Sequence, residues 1–341
     1  MSFKRLDTED ITISAESVVA PAWTGQVTTL TSFYTSSTQV GIGAGNYYYD
    51  IYQTGSSVTG AEVQFSIVYG NRKGSGSQDL TAGLSGSSYS AINYGQYRTL
   101  VNGDENTDFT FGTVTPDSIF IIPVNRARYK ESLLPGSLNL TLVSGSNTLK
   151  LTDNSLSVTT ISYVDAGRVY DIVSGSSGTA NTTLTANGFT FNSGSYGKFL
   201  PDIGVIVLNA NALRAPFASG GLAMTTLNEG SNIDAKTNLT AFYNILNAAG
   251  SSFGVQSQET ITSNYVFVRV RNSEFNYSTN PSIITGSGEL RYDVLVNTPQ
   301  AYITTVGLYN DNNDLLGVAK LSKPLLKDFT KEALVRIKLD Y

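Results

Sequence analysis

Three oxygen-bearing side chains stand at alternate positions in Gly103-Asp104-Glu105-Asn106-Thr107-Asp108. Asp104, Asn106 and Asp108 thus have the D-x-N-x-D spacing with which calcium loops turn successive oxygens toward one ion. The match ends there, because an EF-hand needs Gly where Phe109 stands and Glu where Thr115 stands, and a solvated turn is the plainer reading. Gly250-Ser251-Ser252-Phe253-Gly254 matches the G-x-S-x-G elbow of serine hydrolases, whose Ser sits on a strained strand-to-helix turn beside a His base. Here the motif follows a predicted helix and the chain contains no His, so a Gly-flanked helix exit accounts for it. Glycosidases need only two carboxyl groups about 5 to 9.5 Å apart across a cleft. Asp104, Glu105, Asp108, Asp202, Glu274 and Glu289 are candidates by their acidity alone, and nothing in the sequence pairs them.

The absence of His and Cys removes the usual imidazole base, the zinc ligand, the thiolate nucleophile and the physiological pH switch. Most hydrolase and transferase chemistry goes with them. The chain is expected not to be an enzyme; no catalytic, cofactor-binding or metal-ligating residue is assigned and no cofactor is expected. With 22 Lys and Arg against 27 Asp and Glu the net charge is −5, and no basic patch suited to nucleic acid is visible. Only 14% of residues are charged, against roughly 25% in ordinary domains, while Gly, Ser, Thr and Asn number 32, 39, 38 and 27. The surface is therefore expected to be polar but largely uncharged. Met1 to Asp10 has no apolar run behind Lys4 and Arg5, so it does not read as a signal peptide. Ile203 to Leu208, the longest apolar stretch, is far below the roughly 20 residues that span a bilayer. A soluble chain made in a cytoplasm is expected.

Twenty Tyr include Tyr47, Tyr48 and Tyr49 in a row and a cluster at Tyr89, Tyr94 and Tyr97. Tyr is amphipathic and loses little entropy when fixed, which suits interfaces or sugar stacking; a sheet residue with its hydroxyl at the rim is the structural alternative for each one. Sequons at Asn139, Asn181, Asn238 and Asn276 are what this Ser and Thr content yields by chance. From Val318 to Tyr341 the charges come to +3, which could steer a contact with an acidic neighbour.

The elements that must carry these residues are mostly strands. β-Branched and aromatic residues suit pleated sheets, and Gly, Ser and Asn supply the turns, so we expect an all-β fold of antiparallel sandwich or barrel-like domains with one or two short helices. Period-two alternation marks strands at Glu62 to Tyr69, Ser137 to Val143, Tyr265 to Arg271 and Glu332 to Asp340. Tyr302 to Tyr309 and Leu315 to Leu321 flank Asn310-Asp311-Asn312-Asn313-Asp314 and predict a hairpin. Leu239, Phe242, Leu246 and Ala249 recur at helical spacing between a candidate N-cap, Asp234, and Gly250. Short helical turns are expected at Arg126 to Glu131 and, after Pro324, at Leu325 to Lys331. Leu134-Pro135-Gly136 reads as a boundary. The expected domains are 1–135 plus 262–341 as a main, discontinuous β domain, 137–208 as a small inserted β domain, and 209–261 as a loop-and-helix connection. No period of 20 to 50 residues repeats, against a solenoid or propeller.

Two segments carry a likeness: Arg271-Asn272-Ser273-Glu274-Phe275-Asn276-Tyr277-Ser278-Thr279-Asn280-Pro281-Ser282 and Tyr302-Ile303-Thr304-Thr305-Val306-Gly307-Leu308-Tyr309-Asn310-Asp311. They resemble a family of virion structural proteins of contractile-tailed phages, especially cyanophages. Met1 to Val19, Arg98 to Gly112, Asn125 to Leu142 and the ending Val318 to Tyr341 are similar to it too, so the likeness spans most of the chain. The resemblance implies a place in the virion tail, as a baseplate wedge or tail assembly protein that self-associates or joins other tail proteins, without nucleic acid or membrane insertion. It brings no catalytic residues. A receptor- or carbohydrate-binding tail module is the alternative, and the lack of short shaft repeats weighs against it.

Overall fold

The computed structural model describes residues 4–36, 48–74, 90–181, 185–186, 189–190, 196–227, 229 and 235–340. Tyr47, Tyr89, Asp234 and most of the Ser- and Gly-rich stretches at 74–77, 84–90 and 193–197 lie outside the described residues. The fold is β-dominated, with 45% strand against 14% helix and large antiparallel sheets, as the composition predicts. Four short α-helices accompany the strands, where one or two were expected.

In chain order the first elements are β1 (Ile11–Pro21), β2 (Thr29–Leu30), β3 (Tyr48–Tyr52), β4 (Val63–Asn71), α1 (Ser90–Asn102), β5 (Ser118–Pro123), β6 (Ser132–Leu133), β7 (Asn139–Ser144) and β8 (Asn147–Asp153). There follow β9 (Ser162–Val164), β10 (Gly167–Ser176), β11 (Thr179–Ala180), β12 (Thr185–Ala186), β13 (Phe189–Thr190), β14 (Gly197–Leu200), β15 (Val205–Asn209), α2 (Ala210–Arg214) and α3 (Ala235–Leu246). The last are β16 (Ser252–Gly254), β17 (Gln256–Val270), α4 (Val294–Asn297), β18 (Gln300–Tyr309), β19 (Leu315–Asp328) and β20 (Ala333–Asp340). The chain forms two compact units: residues 18–259, and residues 1–17 with 260–341.

The 18–259 unit is built on one antiparallel sheet in the order β2-β16-β7-β8-β10-β14-β15-β5-β4-β3, with β9 and β11 added to β10. Its central strands are apolar on both faces. In β5, Phe120 and Ile122 join one core and Ile119 and Ile121 the other; in β15, Ile206 and Leu208 oppose Val205 and Val207 in the same way. Such strands read as continuous apolar runs because both sides are covered. At the β7 and β8 end only one face is buried, by Leu140, Leu142, Leu149 and Leu151, and the period-two alternation returns. The sheet curls into a half-barrel. Leu30 of β2 pairs with Phe253 of β16, and four residues on Tyr34 exchanges both backbone hydrogen bonds with Tyr52 of β3. Aromatic rings fill the closure: Trp23 lies 5.0 Å from Phe253 and 5.8 Å from Phe65, and its indole N–H donates to the Phe253 carbonyl at 3.0 Å.

Helix α3 lies on the larger core with Leu239, Phe242, Ile245 and Leu246 buried, and the Phe242 ring stacks on Phe120 at 4.5 Å. The helix ends at Leu246, so Ala249 is exposed beyond it, while Gly250 has a positive φ of 93°. This is a core helix of its unit rather than part of a connection. Helix α1 covers the opposite core and was not expected from the sequence. Its approach to β4 requires Gly70, where a Cβ would stand 3.1 Å from the Tyr94 backbone.

The sequence boundaries move. Strands within 137–208 belong to the same sheet as β3, β4 and β5, so that stretch is not separate from the N-terminal third. Leu134-Pro135-Gly136 is a tight turn, not a break between domains: the buried Asp153 carboxylate accepts from the Gly136 N–H at 2.8 Å and the Ser155 N–H at 3.1 Å.

In the other unit, the sheet order is β1-β17-β20, with Tyr265 paired to Lys338 and Val270 to Ala333 across β17 and β20. The β18–β19 hairpin packs Val306, Leu308, Ala319 and Leu321 against Val266, Val335 and Ile337, making a small sandwich. Its turn works as the composition suggests: Asn310 Oδ1 accepts from the Asn312 and Asp314 N–H groups, and Asn313 takes φ 61°. Residues 325–328 continue β19 instead of forming a helical turn, because Pro324 falls in a bulge where Thr305 pairs with Lys320 and Ile303 with Leu325.

Candidate functional site

The 103–108 loop directs its two aspartates to different partners. Asp104 closes its own turn, accepting from Thr107 Oγ1 at 2.5 Å and the Asn106 N–H at 2.9 Å, and these bonds hold its carboxyl below the usual range. Asp108 instead faces Arg72 and Arg98: Arg72 Nη1 donates to Oδ2, and Arg98 Nη1 to Oδ1 at 3.2 Å. Burial by itself would raise the Asp108 carboxyl, but the Arg72 hydrogen bond and charge, with Arg98, outweigh it and hold it low. Asp117 shares Arg72 at 2.6 Å and takes Lys73 at 2.7 Å, so the cluster is an ion-pair network joining β4, α1 and the start of β5. Among the described residues no group of three or more acidic side chains is placed to hold a metal ion.

Ser252 is the first residue of β16, paired with Thr141 of β7, and it does not sit on a strand-to-helix turn. Its neighbour Ser251 is buried and donates to the Ile245 carbonyl at 2.7 Å, which ties the helix exit. Of the remaining acids, Asp202 and Glu274 have cations or backbone amides beside them. Asp202 takes Arg168 Nη2 at 2.5 Å and the Arg168 N–H at 2.7 Å; burial raises its carboxyl, and the guanidinium more than compensates. Glu274 accepts from the Arg271 N–H at 2.9 Å and pairs with Lys4 at 3.3 Å, and is held low by both. Glu105 and Glu289 are exposed.

Of the tyrosines singled out in the sequence, the four among the described residues turn inward. Tyr94 is buried against Phe109, ring centroids 5.6 Å apart, and Tyr97, Tyr48 and Tyr49 are partly buried against the two cores. Surface rings are supplied by others: Tyr163, Tyr277, Tyr292, Tyr302 and Tyr309. They sit in strands and loops whose exposure no spacing pattern announces. Of the sequons, Asn238 is buried, and Asn276 Oδ1 accepts from the buried Lys327 ammonium at 2.7 Å. Lys327 also donates to the Asn272 and Asp328 carbonyls, so the most buried cation of the C-terminal stretch is an internal clamp.

The feature that separates the two units is where apolar surface meets water. Seventeen of the twenty-nine exposed large apolar side chains among the described residues belong to the smaller unit, which supplies only Val266, Val270, Ala301, Val335 and Ile337 to the buried core. The hairpin end is the densest part: Leu315, Leu316 and Val318 are 53%, 70% and 60% exposed, with Tyr309 beside them. β1 lies at an edge of its sheet and is exposed from Ile11 to Val19. Long edges and apolar patches of this kind mark interaction surfaces.

The larger unit carries a small, partly open cleft. It encloses about 100 Å³ between β10, β14 and the segment after β8, lined by Asn154, Val158, Thr160, Ser162, Val169, Tyr170, Asp171 and Lys198. Ligand pockets for drug-sized molecules run from about 300 to 1,000 Å³, so this one admits only a small group. No helix among the described residues is long and apolar enough to cross a membrane. No protein-family model, curated relative or solved structure matches the chain.

Proposed function

We propose that the protein is a non-enzymatic structural subunit of a phage virion, a baseplate wedge or tail assembly protein that contacts several other virion proteins. The observation that carries the assembly role is the concentration of exposed apolar side chains on the smaller unit, which has few core residues of its own. A sheet unit that leaves Leu315, Leu316, Val318 and Leu334 in water gains by burying them against a partner. Four of the six acids weighed for hydrolysis, Asp104, Asp108, Asp202 and Glu274, are committed to neighbouring cations or turn amides, which favours a structural role over a catalytic one. The phage assignment rests on the resemblance of the 271–282 and 302–311 segments and of the two chain ends.

Immunogold labelling of purified particles tests this reading. Gold at the tail end, stronger after the particles are disrupted, is expected for a wedge-like subunit. Gold on peripheral fibres of intact particles would favour a receptor-binding module, and unlabelled particles would overturn the virion assignment.

A further inference from the structure

The cleft at β10 and β14 belongs to the larger unit, and its chemistry differs from that of the apolar surface of the smaller one. Asp171 and Lys198 are cross-strand partners, yet their charged groups stand 3.8 Å apart, at the outer limit of an ion pair. Both are partly exposed, at 36% and 24% of their side chains, and face the cleft with Thr160 and Ser162. Asn154 uses its Oδ1 to receive the Asp171 backbone N–H at 3.0 Å, which fixes the loop wall. Val158 and Val169 add apolar surface between these polar groups.

We propose that this cleft binds the diol edge of a neutral sugar ring. A hydroxyl donates and accepts at once, so two neighbouring hydroxyls can lie alongside the pair, one donating to Asp171 and the other accepting from Lys198, without separating it. The lining carries one negative and one positive group, which matches a neutral ligand. Val158 and Val169 offer a small apolar contact for the C–H groups at the ring's edge, and about 100 Å³ admits that edge and not an oligosaccharide chain. A zwitterion such as glycine would have to draw Lys198 away from Asp171 to pair with each. This inference stands independently of the baseplate reading.

The test is protein-observed NMR on the full chain, titrated with methyl glycosides of glucose, galactose and mannose and with N-acetylglucosamine, using glycine as the control. At least one sugar is expected to saturate in the millimolar range and to shift the amides of Asn154, Thr160, Ser162, Asp171 and Lys198. Asp171→Asn is expected to weaken that binding at least tenfold with the remaining spectrum unchanged; should that variant fail to fold, Lys198→Met carries the same expectation. Burial raises the Asp171 carboxyl, with Lys198 opposing, so sugar binding in the wild type should fade at a pH above the ordinary aspartate range as the acceptor is protonated. Absence of saturable binding by every sugar, shifts that map outside the cleft, or tighter binding of glycine than of any sugar would each overturn the proposal.

Discussion

Asp108 sits between two guanidinium groups, and its titration is tied to folding. Its carboxyl is held below the ordinary range in the folded chain, because Arg72 and Arg98 outweigh the cost of burial. The unfolded chain therefore binds this proton more readily, and the stability the network contributes is present above about pH 4 and lost as pH falls through the lower folded value. Urea unfolding of wild type and Asp108→Asn from pH 7 down to pH 3 checks this: the variant should be less stable at pH 7, and the difference should shrink toward pH 3. A constant difference across that range would remove the ion pair from the explanation. The same residue shows what spacing can and cannot say. D-x-N-x-D correctly marks a turn that Asp104 closes through Thr107 and Asn106, but Arg72, 36 positions earlier, decides where Asp108 points.

Among the elements, α3 and α1 divide on how much of each is legible. The spacing of Leu239, Phe242 and Leu246 marks α3 because its apolar stripe has a curled sheet to cover, and the Phe242 ring rests on Phe120 at 4.5 Å. Phe242→Ala removes that ring from a fully buried site and should cost about 3–5 kcal/mol, read as a lower urea midpoint for the larger unit. A loss under about 1 kcal/mol would mean that the helix is not integral to the core. Helix α1 leaves a weak signature: Ser90, Asn93 and Tyr94 are buried together while Ile92 and Leu100 are exposed, so its apolar pattern does not match its buried face. The hairpin at 300–328 is legible because Asn310 and Asn313 have turn chemistry, but its length was not, since Pro324 reads as a stop and a bulge lets the strand continue. The domain boundary at Pro135 fails for a related reason. A Pro-Gly turn pinned by the buried Asp153 looks the same in sequence as a linker.

At the scale of the whole molecule, the two units differ in what their apolar residues do. The 18–259 unit spends them on two cores, one on each face of its sheet. The other unit leaves Leu315, Leu316, Val318 and Leu334 in water and has β1 at an edge of its sheet. The β class follows from composition and alternation, whereas the exposed apolar surface does not, because exposure depends on which strands face each other and no local pattern encodes that. On the reading proposed above, this smaller unit binds other tail proteins in the assembled particle. Chemical cross-linking of intact purified particles, followed by mass spectrometry, tests it most directly. Lys320 and Lys323 are exposed on β19 beside the apolar residues and should link to other virion proteins, with these links lost in a Leu315→Ser, Leu316→Ser, Val318→Ser variant. Particles that contain the chain but link to it only through Lys73 or Lys150 of the larger unit would contradict it.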